Sequence, residues 1–205
     1  MGKSFAEWLT SLKKYKFFVI VAHDYLMDNF NYFGLKKYFD RFPEAQVVIR
    51  GSYKPRIEED PDLLKQAIHL YGLIHARYLV TLDGIGDMKE KFSDGEFPKC
   101  PRYLCNGHSC LPYGTSEIYG ENTLKLFCPS CCDVYDMYIP LYQNIDGAFF
   151  GPNYVHILKQ RYRTVTPSKP LKELVPRVFG FKMSRQKPKK IKSKQNKPKP
   201  IEVKN

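Results

Sequence analysis

All six cysteines of this 205-residue chain lie between residues 100 and 132. Cys100 and Cys105 are separated by four residues, Cys128 and Cys131 by two, and 22 residues lie between the pairs. Each short loop can turn two thiolates toward one point, and a β-hairpin between the loops can bring the points together. Four sulfurs then close a tetrahedron around Zn²⁺, the arrangement of a zinc ribbon. Pro101 and Pro129 follow the first cysteine of each pair and help to fix the turn before the second ligand. Cys110, Cys132 and His108 are surplus to a four-coordinate site; Cys132 directly follows Cys131, and adjacent residues seldom both face one ion. Four thiolates leave no coordination position for water, so the spacing predicts one structural zinc per chain, held by Cys100, Cys105, Cys128 and Cys131.

Other chemistry is weakly represented. The glycines of DGIGDM lack the preceding strand, third glycine and lysine of a phosphate loop, and are expected to break a helix between Leu82 and Met88. His69 and His75 are six apart on one helix, too far to share a metal on one face, and are expected to be solvated or packed. No Gly-rich loop, catalytic-loop motif or Asp-Phe-Gly is present, so the chain is not expected to be an enzyme. The net charge of +12 is unevenly placed: nine lysines and Arg185 against Glu202 put +9 into residues 182–205 and leave +3 for the rest. Between Cys100 and Tyr135 only Arg102 and Lys125 oppose Glu117, Glu121 and Asp133, which argues against phosphate binding by the ribbon. The longest apolar run, Phe17 to Ala22, is far short of the ~20 residues that span a bilayer, and an intracellular, membrane-free protein is expected.

The elements that must position the cysteines can be read from local signals. Ser4 with Glu7 forms a candidate capping box ahead of Phe5, Trp8, Leu9 and Leu12 at helical spacing. The same pair also fits an acid-directed kinase site. Asp24 is a candidate cap for a turn through Tyr25 to Phe30, and Pro43 can start a helix carrying Val47, Val48 and Ile49. Asp60-Pro61 opens the clearest helix, with Leu64, Ala67, Ile68, Tyr71, Ile74 and Tyr78 on one face. After Phe97-Pro98 short β-rich runs such as TLKLF and DVYDMY alternate with Gly, Pro and Asn. The reading is an α+β chain: an α-helical domain over 1–97, a zinc-ribbon β domain over 98–183, and a disordered Lys/Pro-rich tail over 184–205. The ribbon carries more apolar side chains than a small hairpin can hide, from Tyr103 and Leu104 through Leu111, Ile118 and Leu126 to Val134 and Tyr135, so a partner subunit is expected to cover some of them.

Taken together, YGLIHARYLVT, CPRYLC, LPYGTSEIYGENTLKLFCPSCCDVY, DGAFFG and VPRVFGFK resemble, in order and spacing, the regulatory beta subunit of casein kinase II, from about Phe5 to Met183. The resemblance implies a non-catalytic protein whose helical domain packs on a ribbon that dimerises, the dimer bridging two catalytic alpha subunits and modulating their stability and substrate choice. The zinc ligands implied are the four cysteines chosen from spacing. The implied kinase-binding residues are Arg177, Phe179, Phe181 and Met183, with Ile157. The chain departs from the family in two places. MGKSFAEW lacks the family's N-terminal serine-and-acid cluster, and its acidic loop is reduced to IEEDPD with Lys54 and Arg56 upstream, so autophosphorylation and polyamine sensitivity are not carried over. The rival reading is a zinc-ribbon nucleic-acid-binding protein that uses its basic tail. In the tail, Lys189, Lys190 and Lys192 form a nuclear-import candidate, which with the family implies a nuclear and cytoplasmic location and a polyanion or import-receptor contact.

Overall fold

A computed structural model describes residues 3–51, 59–167 and 174–183. The expected tail over 184–205, with Lys189, Lys190 and Lys192, lies outside the described residues, as does most of the segment before Asp60. The chain divides into two units, residues 1–172 and 173–205.

In the first unit, helix α1 (Phe5–Ser11) opens with the expected capping box: Glu7 N–H donates to Ser4 Oγ while the Glu7 carboxylate accepts from Ser4 N–H at 2.7 Å. Two donors that a helix start leaves without partners are thereby satisfied. Helix α2 spans His23–Met27, with Ala22 rather than Asp24 at its N-cap. The turn expected to run on to Phe30 is cut short by Asp28, whose carboxylate accepts Phe30 N–H at 2.9 Å and starts a separate 3-10 turn over Asn29–Tyr32. Helix α3 (Phe42–Ile49) carries Pro43 in its first turn and buries Ala45, Val48 and Ile49 against α4.

Helix α4 (Pro61–Tyr78) is the central element. Asp60 caps it by accepting Leu63 N–H at 3.0 Å. Its buried residues extend beyond the expected stripe to Leu63, Leu70, Leu73 and His75, because structure lies against more than one face. One face receives the irregular segment Phe17–Val21. Among the described residues this segment has no strand partner, and side chains of α4 satisfy its backbone. Val19 N–H donates to His75 Nε2 at 3.1 Å, and Tyr71 Oη donates to Val19 O at 3.1 Å while accepting Val21 N–H at 3.0 Å. Another part of α4 meets Phe149 across Gly72, where any Cβ would overlap the Phe149 ring. Helix α5 (Leu82–Ser93) runs straight through the GIG motif expected to break it. The break falls earlier, at Leu79–Thr81, where Thr81 Oγ1 accepts Gly84 N–H at 3.1 Å, and the helix absorbs the modest propensity cost of two glycines.

Residues on both sides of 97/98 share one hydrophobic core, in which Phe18, Tyr71 and Ile74 join Leu111, Phe150 and Tyr154. Strands β1 (Leu111–Tyr113), β2 (Lys125–Phe127) and β3 (Val134–Asp136) form an antiparallel sheet in that order, with Leu111 opposite Phe127 and Leu126 opposite Tyr135. Helix α6 (Tyr154–Arg161) follows and buries Tyr154, Val155 and Leu158. The second unit contains the two-stranded hairpin β4 (Arg177–Val178) and β5 (Phe181–Lys182). Among the described residues no helix is long and apolar enough to cross a membrane.

Candidate metal centre

The two cysteine loops are built alike. In the first, Cys100 N–H donates to His108 O at 2.8 Å and a 3-10 turn over Tyr103–Cys105 delivers the second sulfur. Asn106 (φ 50°) and Gly107 (φ 68°) then reverse the chain in the left-handed region. In the second, Cys128 N–H donates to Asp133 O at 3.0 Å, Cys132 N–H donates to Cys128 O at 2.8 Å, and Cys132 itself is left-handed at φ 59°. Such backbone favours Gly or Asn, and a cysteine there is unusual. Cys132 therefore occupies the position that Asn106 holds in the first loop. It closes the turn after the second ligand, and its exposed Sγ accepts from Lys159 Nζ at 3.0 Å, away from the cluster.

The Sγ atoms of Cys100, Cys105, Cys128 and Cys131 all lie within 4.8 Å of one another, and Cys100 and Cys131 are 3.9 Å apart. Sulfurs about 2.3 Å from a tetrahedral ion would stand roughly 3.8 Å apart, so the geometry fits a four-thiolate site that could hold a metal ion. As thiols three of the four resist ionisation. Burial raises Cys100 to about 12 and also raises Cys105, while hydrogen bonding with Cys110, then burial, raises Cys128. At Cys131 burial acts upward, but hydrogen bonds from the Tyr135 hydroxyl and the Asp133 backbone outweigh it and bring the thiol down to about 7. A divalent cation would supply the charge that lets all four ionise together. Outer contacts already orient the sulfurs: Tyr135 Oη lies 3.2 Å from Cys131 Sγ, and the Ser130 and Cys131 N–H groups point at Cys128.

The surplus residues have other roles. Cys110 is fully buried behind Cys128, and its N–H donates to Pro98 O at 2.8 Å. His108 Nε2 bonds Val165 O at 2.9 Å. His75 is wholly buried, while His69 is half-buried and bonds the Tyr119 hydroxyl. His75 Nε2 accepts from Val19, so its proton sits on Nδ1 and is donated to Phe149 O at 2.7 Å. That clamp between segments 56 and 74 residues away in sequence has no local signature.

The ribbon hides more of its apolar surface than its composition implies. Leu111, Leu124, Leu126 and Phe127 are buried within the chain, whereas Tyr103, Ile118 and Val134 remain exposed. Both ribbon cations face acids, Lys125 with Asp136 at 2.5 Å and Arg102 with Asp133 at 3.9 Å.

Of the residues implied for kinase binding, Ile157 lies on α6 and is 37% exposed. In the second unit the β4–β5 hairpin turns through Phe179 (φ 49°) and Gly180 (φ 84°), both left-handed, as a two-residue turn of the primed kind requires. Glycine adopts this conformation freely, but phenylalanine pays to do so. Arg177 braces the turn by donating to Gly180 O at 3.3 Å. Phe179 is 96% and Phe181 78% exposed, and Met183 is also exposed. Within the second unit both aromatics are therefore exposed, and Phe179 stands at the turn.

The casein kinase II regulatory subunit family model matches residues 4–182. The chain is 38% identical over 185 residues to a putative casein kinase II subunit beta-4 of Arabidopsis thaliana, which covers 88% of this chain and 65%, just under two thirds, of that one. It is 38% identical over 179 residues to casein kinase II subunit beta of Schizosaccharomyces pombe, covering 86% of this chain and 78% of the relative. It is 36% identical over 183 residues to casein kinase II subunit beta' of Drosophila melanogaster, covering 88% and 84%. With the four-sulfur cluster and the exposed hairpin falling inside the matched span, this chain belongs to the casein kinase II regulatory subunit family.

Proposed function

We propose that this chain is a non-catalytic regulatory subunit that dimerises through a zinc-stabilised ribbon and bridges two catalytic alpha subunits of a casein kinase II type Ser/Thr kinase. The observation that carries the reading is the hairpin tip. Phe179 and Phe181 are held out in water on a turn that strains one of them, an arrangement whose cost is recovered if a partner pocket takes both rings. A short hairpin with both strands fixed loses little further freedom on binding, which favours its use as an anchor. Arg177, Met183 and Ile157 complete the proposed docking set.

Zinc is the ion that suits four thiolates in tetrahedral array with no open position, and its role here is to hold the two loops together, not to activate water. Tyr103, Ile118 and Val134 supply the exposed apolar face for a second copy of the ribbon. The tail lysines Lys189, Lys190 and Lys192 are proposed to serve nuclear import and polyanion contact, giving a nuclear and cytoplasmic location.

The test is calorimetry with a casein kinase II catalytic subunit. The Phe179→Ala/Phe181→Ala protein should melt as the parent does, keep its metal, and lose at least ~100-fold in affinity, since each hot-spot truncation costs about 2 kcal/mol or more. Unchanged affinity in the folded double variant would refute the docking assignment.

A further inference from the structure

Beyond the hairpin and the metal centre, one surface joins an acceptor hydroxyl to a set of cations. Helix α6 ends at Arg161, a 3-10 turn covers Arg163–Val165, and Thr166 leaves that turn with extended backbone at φ −100°, ψ 137°. Pro167 explains the conformation, because a following proline excludes the helical region for the residue before it. Lys159, Arg163, Thr164, Thr166 and Pro167 together line an open groove of about 670 Å³. Among the described residues neither cation is paired with an acid: Lys159 donates to the Cys132 sulfur and lies 5.5 Å from the centre of the Phe127 ring. Arg163 has no ion-pair partner among the described residues.

We propose that Thr166 is a phosphorylation site for a proline-directed Ser/Thr kinase, and that the phosphate is held in this groove by Lys159 and Arg163. Thr-Pro-Ser-Lys supplies the proline at the next position and a base, Lys169, three residues on. Kinases of this class take an extended acceptor segment and tolerate the missing N–H of proline, which Thr166-Pro167 already presents. An acid-selecting kinase, the type that the Ser4-Glu7 spacing would suit, meets no carboxylate after Thr166 until Glu173. Thr164 also follows arginines, at 161 and 163, but it sits inside the 3-10 turn, where the backbone is helical and unsuited to an extended cleft.

In the reaction Thr166 Oγ1 attacks the γ-phosphorus of ATP. The Oγ1–P bond forms as the bond from that phosphorus to the β–γ bridging oxygen breaks, ADP leaves, and the hydroxyl proton passes to the kinase's base. The product adds roughly −1.5 to −2 charge and three acceptor oxygens beside two cations that pair with no acid among the described residues, where charge-assisted hydrogen bonds hold the phosphate in the groove. Any effect on kinase capture rests on the docking reading above, whereas the chemistry is tested without the catalytic partner.

The full-length protein is treated with a purified proline-directed kinase of the cyclin-dependent class and labelled ATP, and the label is located by mass spectrometry. One phosphate per chain is expected on Thr166, absent in Thr166→Ala and entering at least about tenfold more slowly in Pro167→Ala. The second pKa of the phosphate, followed by ³¹P resonance, is expected about half a unit below that of a phosphorylated peptide covering residues 160–173, and back at the peptide value in Lys159→Gln/Arg163→Gln. Both substitutions are on exposed or partly exposed side chains, and equal melting temperatures would verify the fold. Label on Thr164 or elsewhere, or label on the peptide but not on the folded chain, overturns the site; a phosphate pKa equal to the peptide's overturns the groove.

Discussion

His75→Leu removes the clamp at the centre of α4 and puts a number on it. The imidazole is fully buried between the rings of Phe18 (4.5 Å) and Phe150 (5.1 Å), accepts from Val19 and donates to Phe149. Leucine fills a comparable volume but leaves a buried N–H and a buried carbonyl without partners. At about 1–3 kcal/mol for each orphaned group, and with a gain near 1 kcal/mol from the added apolar surface, the net cost is about 3 kcal/mol. At roughly 2–4 °C per kcal/mol for a chain of this size, melting should fall by about 10 °C. The same substitution isolates a pH effect. Burial is the main cause that lowers the His75 pKa, from 6.5 to about 4, with Lys91 adding in the same direction against the Phe149 hydrogen bond. Because the folded pKa is depressed, the unfolded chain binds the proton first. Stability is complete above pH 6.5 and is lost as pH falls toward 4, by about 3 kcal/mol in total. Urea melts of the two proteins at several values between pH 7 and 4 supply the test. Acid effects on carboxylates and on the cysteine site are common to both proteins and cancel in the difference. The destabilisation by His75→Leu should therefore shrink as pH falls. Parallel stability curves for the two proteins would refute a neutral, doubly bonded His75.

Other outcomes follow from the ribbon. Cys128→Ser should lose the proposed zinc and the ribbon fold, read by metal analysis and circular dichroism; one zinc per chain and an unchanged spectrum would refute the ligand set. Cys132→Gly should keep one zinc per chain and gain up to about 1 kcal/mol in chemical denaturation, because its φ of 59° suits glycine, and loss of metal would show that Cys132 is a ligand. Val134→Lys places a charge on an exposed ribbon residue and should convert the proposed dimer to a monomer in light scattering without changing the melt of the monomer; a dimer of parental stability would move the self-association surface elsewhere.

What the amino-acid order determined by itself is local chemistry. The capping box at Ser4 and Glu7, the Asp60-Pro61 start, the stripe from Leu64 to Tyr78 and the cysteine pairs each act within a few residues, and each stands in the structure where the spacing put it. What lay outside that reading was decided either by a rival cap a few residues away or by partners distant in sequence. Asp28 rather than Asp24 punctuates the second helical region, and α5 passes through Gly84 and Gly86 because Thr81 caps it first. Leu111, Leu124 and Leu126 count as surplus apolar residues until other parts of the chain cover them, and only then does the exposed remainder reduce to residues such as Tyr103, Ile118 and Val134. Cys132 is a metal candidate by residue type, yet its left-handed backbone turns its sulfur to Lys159. Periodicity and capping act through the backbone next in line. Which face is buried, which histidine is clamped and which thiol is turned away depend on surfaces that meet only when the chain has folded.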